Sequence, residues 1–255
     1  MAKVAAIFDE ALGELTDDKI TRDFSVYQRK KGHRYSSDDV VTAFAGWSAL
    51  PDAMRICDLG SGLGSVLLML AWKLREASFV AVEVQDASFA LLEKNVTRNA
   101  LGDRVRILHG DLRDEATIAL VGDGFDLVTG TPPYFPPASA LDATDTQRAY
   151  ARIEYRGGVE AYLATGARVM SQNGTMVMCG EGGVEARVRA GAAAAGLSVR
   201  ARLDVFAHAT AYEPLFAVWT LRRDDGALAA SHIRLRDREG NPTAEAMALR
   251  AFSGF

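Results

Sequence analysis

Apolar residues return at helical spacing at Val4, Ile7, Phe8, Ala11, Leu12 and Leu15, so the chain is expected to open with an amphipathic helix. Asp38-Asp39 then caps a second helix that runs through Trp47 and stops at Leu50-Pro51. From residue 54 the rhythm becomes strand, glycine loop, helix, strand. RICDL (55–59), FVAVEV (79–84), VRILHG (105–110), FDLVTG (125–130) and TMVMCG (175–180) read as short buried strands. Between them lie helical stretches at Val66 to Leu74, Ala87 to Ala100 and Gly158 to Ser171, and a polar segment at 138–156. An alanine-rich helix from Glu185 to Ala195 ends at Gly196. LSVRARLDVF (197–206) and LFAVWTLRR (215–223) fit the two closing strands, one of them antiparallel. The C-terminal SHIRLRDREGNPTAEAMALRAF reads as an edge strand, a turn and a short helix. Short apolar strands alternating with helices predict an α/β fold whose mostly parallel sheet is covered on both faces.

Composition narrows the class without naming the chemistry. With 255 residues, 49% hydrophobic and 24% charged, the chain suits one globular α/β domain with at most a small extension. No apolar run approaches the roughly 20 residues of a membrane span. Asp9, Glu10 and Glu14 near the start argue against a secretory signal or a transit peptide, so a cytoplasmic protein is expected. Cys57 and Cys179 sit inside apolar strands and read as reduced, buried thiols. His33, His109, His208 and His232 lack ligand spacing, so no metal is expected. A net charge of −4 does not suit a protein that coats nucleic acid. Two basic clusters depart from that average: Lys19, Arg22, Arg29, Lys30, Lys31 and Arg34, and then Arg148, Arg152 and Arg156 at helical spacing. Either cluster is a solvated face or a phosphate contact.

The candidate chemistry lies at the strand ends. Asp58-Leu-Gly60-Ser-Gly62-Leu-Gly64 follows the first strand and opens a helix, a backbone cradle for a nucleotide-like ligand. A dinucleotide fingerprint would want its third glycine at Ser65, one residue later than Gly64. Glu83, ending the second strand, can accept from two ribose hydroxyls, and Asp111, after the third, from an adenine amine or as a helix cap. Asp58 suits a ligand ammonium or a water beside a sulfonium. After the fourth strand stands Thr131-Pro132-Pro133-Tyr134-Phe135. Its two prolines remove N–H donors and leave carbonyls to accept from an amine, and Tyr134 offers a flat face for stacking.

Taken together, these residues resemble the bacterial tRNA1(Val) adenine N6-methyltransferases, within the wider small-domain methyltransferase group. The resemblance covers almost everything after residue 28. It rests on Gln28, on Gly32-His33-Arg34-Tyr35-Ser36-Ser37-Asp38, on Asp58 to Gly64, Glu83, Asn95 with Asn99, Asp111, the Pro-Pro-Tyr-Phe run, and the tail DREGNPTAEAMALRAF.

The resemblance implies a seven-stranded, Rossmann-like class I fold that uses S-adenosylmethionine (SAM). It implies a segment over 1–51 that partly covers the cofactor, ahead of a methyltransferase domain over 52–255. Cofactor contacts are then expected from Lys31, Tyr35 and Ser37, from Asp58, Gly60, Ser61, Gly62 and Gly64, and from Glu83, Val84, Asp111, Leu112 and Thr131. Thr131, Pro132, Pro133 and Tyr134 would hold the reacting amine. Tyr134, Phe135, Arg29, Lys30, Arg148 and Arg152 would touch an RNA substrate, with tRNA as the expected partner of a monomer or homodimer. The family has Asn or Asp where this chain has Thr131. That substitution fits a tolerated variant on adenine, a different acceptor such as a protein amine or small molecule, or a weakened SAM-binding scaffold.

Overall fold

The computed structural model describes residues 7–133, 147, 153–155 and 157–255. Tyr134, Phe135, Arg148, Arg152 and Arg156 therefore lie outside the described residues.

The parallel half of the central sheet contains β4 (Arg55–Leu59), β5 (Ser78–Glu83), β6 (Val105–His109), β7 (Phe125–Gly130) and β8 (Met170–Gly180). It is completed by β9 (Ser198–Phe206), β10 (Phe216–Arg222) and β11 (Ala229–Arg234), in the order β11-β9-β10-β8-β7-β4-β5-β6. Strand β10 alone runs antiparallel to its neighbours β8 and β9. The C-terminal edge strand β11 pairs parallel with β9 and extends the expected sheet by one strand. Chain order reverses at β4: β5 and β6 lie on one side, β7 and β8 on the other. This leaves a crevice at the C-terminal strand ends, where open α/β sheets bind ligands.

Period-two alternation splits the core into two layers. Ile56, Phe79, Ala81, Leu127 and Val177 face one apolar cluster, and Cys57, Leu59, Val80, Val82, Val128 and Met176 face the other. The first layer receives α1 (Ser37–Ala49), α2 (Ser65–Lys73), α3 (Asp86–Arg98) and α7 (Ala244–Phe252). The second receives α4 (Glu115–Val121), α5 (Val159–Val169) and α6 (Glu185–Ala194). Helix α2 is buried from Ser65 through Trp72, as its apolar run requires.

The expected helix at residues 4–15 is corrected: its described part forms a hairpin. Strands β1 (Ile7–Asp9) and β2 (Gly13–Lys19) pair antiparallel, and β3 (Ser25–Arg29) completes a separate three-stranded sheet. Asp9 Oδ1 accepts from the N–H groups of Ala11 and Leu12, both at 3.0 Å, a local turn that competes with helix. Gly13 follows at φ +79°, in the left-handed region. The apolar spacing survives because Leu12 and Leu15 reach the core from the turn and from β2.

This small sheet docks through two asparagines one turn apart on α3. Asn95 accepts from Tyr27 N at 2.7 Å and donates to Tyr27 O at 3.0 Å and Leu63 O at 2.8 Å. Asn99 repeats the pattern on Ser25, at 2.9 and 2.8 Å. The two side-chain amides occupy the free edge of β3 in place of a further strand.

Candidate functional site

The loop after β4 is shaped by its glycines and by the acids around it. Gly60 and Gly62 both lie at φ +60°, and Ser61 N donates to Val82 O at 2.9 Å across the strand ends. A side chain at Gly60 would run into Tyr162 of α5, whose hydroxyl occupies the space a Cβ would need. Gly130, ending β7, faces the same ring, with its Cβ position 2.8 Å from Tyr162 Cδ1. Gly62 differs: a Cβ there would meet nothing within 4 Å, so its backbone faces open space.

Three buried carboxylates surround this loop. Asp58 Oδ2 accepts from Ser61 Oγ at 2.6 Å and its Oδ1 from Thr129 Oγ1 at 2.7 Å. Glu83 takes three backbone N–H groups: Gly62 at 2.7 Å, Val84 at 2.9 Å and Gln85 at 2.7 Å. Asp39 of α1 accepts from Ser36 N and from Ser65 Oγ, both at 2.9 Å. Burial pushes the carboxyls of Asp58 and Glu83 above the ordinary range, against the pull of these hydrogen bonds. Asp39 is pushed up to about 7, by burial first and then by the neighbouring Asp38 charge. Tyr162 shifts upward as well, through burial and the charges of Glu83 and Asp58.

These groups meet in one pocket. Asp39, Gly60, Ser61, Gly62, Glu83, Val84, Asp111, Leu112, Thr131 and Pro133 line it, together with His33 and Tyr35. Asp58 lies beneath, reaching the lining through Ser61. Gly64 is the N-cap of α2, Ser37 opens α1, and Lys31 is exposed beyond β3. Pro132 is buried between the two lining residues of its run. Asp111 does not cap α4, whose N-cap is Asp114; it grips Arg113 at 2.6 and 2.9 Å.

The substrate contacts expected of Arg29 and Lys30 are not brought to this pocket. Arg29 donates to Leu12 O at 2.9 Å and to Gln147 Oε1 at 3.1 Å, while Lys30 pairs with Glu14 at 2.7 Å. Arg34 bonds to Asp18 at 2.9 Å, and Gln28 joins the same carboxylate and receives Tyr35 N. Much of the first basic cluster thus shapes the 30–36 loop that carries His33 and Tyr35.

Sequence reasoning missed Asp39 as a pocket residue, together with Ser65, Ser88 and Tyr162, and missed Gln147 behind them. Asp39 was visible only as a helix cap, and it serves as one. Gln147 donates to the pocket residue Ser88 at 3.2 Å, a link that no local pattern signals.

A cradle of open backbone beside acids at successive strand ends fits a nucleoside ligand with hydroxyl donors. Among the described residues, Asp39, Asp58 and Glu83 have no cationic partner, so the pocket also suits a ligand that brings positive charge. SAM has both properties.

Residues 44–148 match the family described as "Methyltransferase small domain". A tRNA1(Val) (adenine(37)-N6)-methyltransferase of Bacteroides thetaiotaomicron is 30% identical over 185 residues, 72% of this chain and 75% of the relative. The protein of the same name from Porphyromonas gingivalis is 29% identical over 166 residues, 64% of each chain. Among solved structures, a predicted O-methyltransferase of Agrobacterium tumefaciens superposes with TM-score 0.66 at 18% identity, over 85% of this chain and 96% of that one. The human Mettl16 catalytic domain, solved with an RNA hairpin, gives TM-score 0.59 at 14% identity, over 79% and 75%. The structural likenesses speak to fold alone. No helix among the described residues is long and apolar enough to cross a membrane.

Proposed function

The chain belongs to the tRNA1(Val) (adenine(37)-N6)-methyltransferase family, and from that premise we propose that it methylates the exocyclic amine of an adenine in tRNA, in the cytoplasm. It is a SAM-dependent methyltransferase. SAM, when bound, supplies a methyl carbon activated by its sulfonium, open to in-line attack by an amine lone pair.

The observation that carries the reading is a juxtaposition. Glu83 and Asp111, the groups suited to ribose and adenine, line the same pocket as Thr131 and Pro133. In this reading Glu83 accepts from the ribose hydroxyls with the lone pairs its three N–H bonds leave over. Asp111, held in place by Arg113, accepts from the adenine amine of the cofactor. The Thr131-Pro132-Pro133 run points its carbonyls at the acceptor amine, and Tyr134, outside the described residues, stacks on the base. Little acid–base chemistry is needed, so positioning supplies most of the rate.

Thr131 favours one second reading, a different amine acceptor, because its hydroxyl reaches less far than the family's Asn or Asp. One assay separates the two. Labelled methyl from SAM is offered to small RNA, to protein and to a metabolite extract, and products are identified by mass spectrometry. Label in N6-methyladenosine is the expected result; label confined to protein or metabolites overturns the adenine reading. On adenine-containing RNA, Thr131→Asn is expected to raise transfer by roughly one to two decades, the worth of one restored hydrogen bond of ~1–3 kcal/mol.

A further inference from the structure

We propose that Asp39 makes the pocket select the methyl-bearing, cationic cofactor over its demethylated product. The inference rests on the placement of SAM in this pocket.

Three observations carry it. The first is a charge imbalance. Asp39 is 7% exposed, and both of its partners, the Ser36 N–H and the Ser65 hydroxyl, are neutral. Asp58 is held by two hydroxyls and Glu83 by three backbone N–H groups, so no fixed cation among the described residues offsets any of the three. Other acids do have cationic partners: Asp111, on the same pocket, has Arg113, and away from it Glu115 has Arg168 and Glu160 has Arg187. Buried carboxylates without counter-ions are costly, and a ligand of net positive charge would relieve them.

The second observation is position. Ser65, which braces Asp39, opens α2 directly after the glycine loop, and α1 packs across β7 and β8. Thr131 follows β7. Glu83 ends β5 and Asp111 follows β6, on the other side of β4 from Thr131. Asp39 therefore lies on the half where methyl transfer occurs.

The third is the chemistry of the two ligands. SAM and S-adenosylhomocysteine share the nucleoside and a zwitterionic amino-acid group of no net charge. They differ by one methyl and by the unit positive charge on sulfur. A fixed negative charge in a poorly screened pocket therefore acts on their difference through the sulfonium. When the amine takes the methyl, an N–C bond forms as the C–S bond breaks, and the C–S electron pair stays on sulfur. The nitrogen takes the positive charge and releases it as a proton to solvent, and the ligand loses the charge that Asp39 attracts. Loss of that attraction favours product departure, a step that limits many enzymes.

The test is calorimetric titration of the full chain with SAM and with S-adenosylhomocysteine at pH 8. Asp39, held at about 7 in the fold, is ionised there. Asp39→Asn is compared with the parent, because an amide can keep both hydrogen bonds. The expected result is a SAM Kd weakened about tenfold, with the product Kd unchanged within about twofold. Equal weakening of both ligands, or no change in either, overturns the role. If the parent itself fails to bind SAM, the cofactor placement is what falls. Asp39→Ser, which removes the charge and leaves a small polar side chain, repeats the comparison should the amide variant not fold.

Discussion

A carboxylate buried with only neutral partners burdens the ligand-free protein, and the burden depends on pH. Asp39 has an ordinary value of 3.8 and is held at about 7 in the fold. Between those values the folded state keeps a proton that the unfolded chain has released, so this group's contribution to stability falls as pH rises. The fall ends above about 7, where both states are ionised. Asp39→Asn removes the effect. The variant's melting temperature is expected to gain on the parent's as pH goes from 5 to 7.5 and to hold a constant lead above that. A full shift of this size corresponds to ~4 kcal/mol. A difference that stays flat across the range would mean that Asp39 does not titrate in this window. At this scale the sequence was legible where a residue ends a parallel strand. Glu83, Asp58 and Asp111 were read from position alone. Asp39 was read only as a cap, because its burial depends on α1 meeting α2. Tyr162 gave no signal, since its contacts with Gly60 and Gly130 arise only when α5 packs under two separate loops.

Among the elements, the five parallel strands and their helices follow from alternation and apolar runs. The N-terminal hairpin does not. Val4, Ile7, Phe8, Ala11, Leu12 and Leu15 satisfy a helical period, yet Asp9 and Gly13 interrupt it with turn chemistry that outweighs the pattern. A three-stranded sheet this small needs an outside support, and Asn95 and Asn99 give it one by capping the edge of β3. Asn95→Ala removes three hydrogen bonds at a buried site. The expected loss is roughly 2–4 kcal/mol by urea denaturation, including the unpaired Tyr27 and Leu63 groups left behind. Faster proteolysis within residues 7–29 should accompany it. Full protection of the hairpin in that variant would show that apolar contacts alone hold it.

Across the whole molecule, segments distant in sequence close on one another beside the first core layer. Lys73 at the end of α2 sits over three aromatic rings: Trp47 of α1 and Trp72 at 4.9 Å, and Phe252 of α7 at 5.1 Å. Trp72 donates to Asp23 at 2.8 Å, and Arg22 N donates to Ser253 O at 2.8 Å. The C-terminal helix is thereby fastened to α1, α2 and the turn before β3. Lys73→Ala should lower stability by about 1–2 kcal/mol and quicken hydrogen exchange in residues 244–252 before it does so in the sheet. Uniform exchange in the variant would remove Lys73 as the fastener. The tail's strand and helix were legible in the sequence, but its return to the N-terminal turn was not, because such contacts leave no local period.

Tyr162, Gly60 and Gly130 come from three separate stretches of the chain, yet they share one volume. No one of them can drift alone: a methyl at either glycine meets the ring, and a smaller residue at 162 leaves a hole under both loops. A side chain added at either glycine is therefore expected to be tolerated only with a smaller residue at 162. The shape of the loop after β4 is set partly by a helix that begins almost a hundred residues after it.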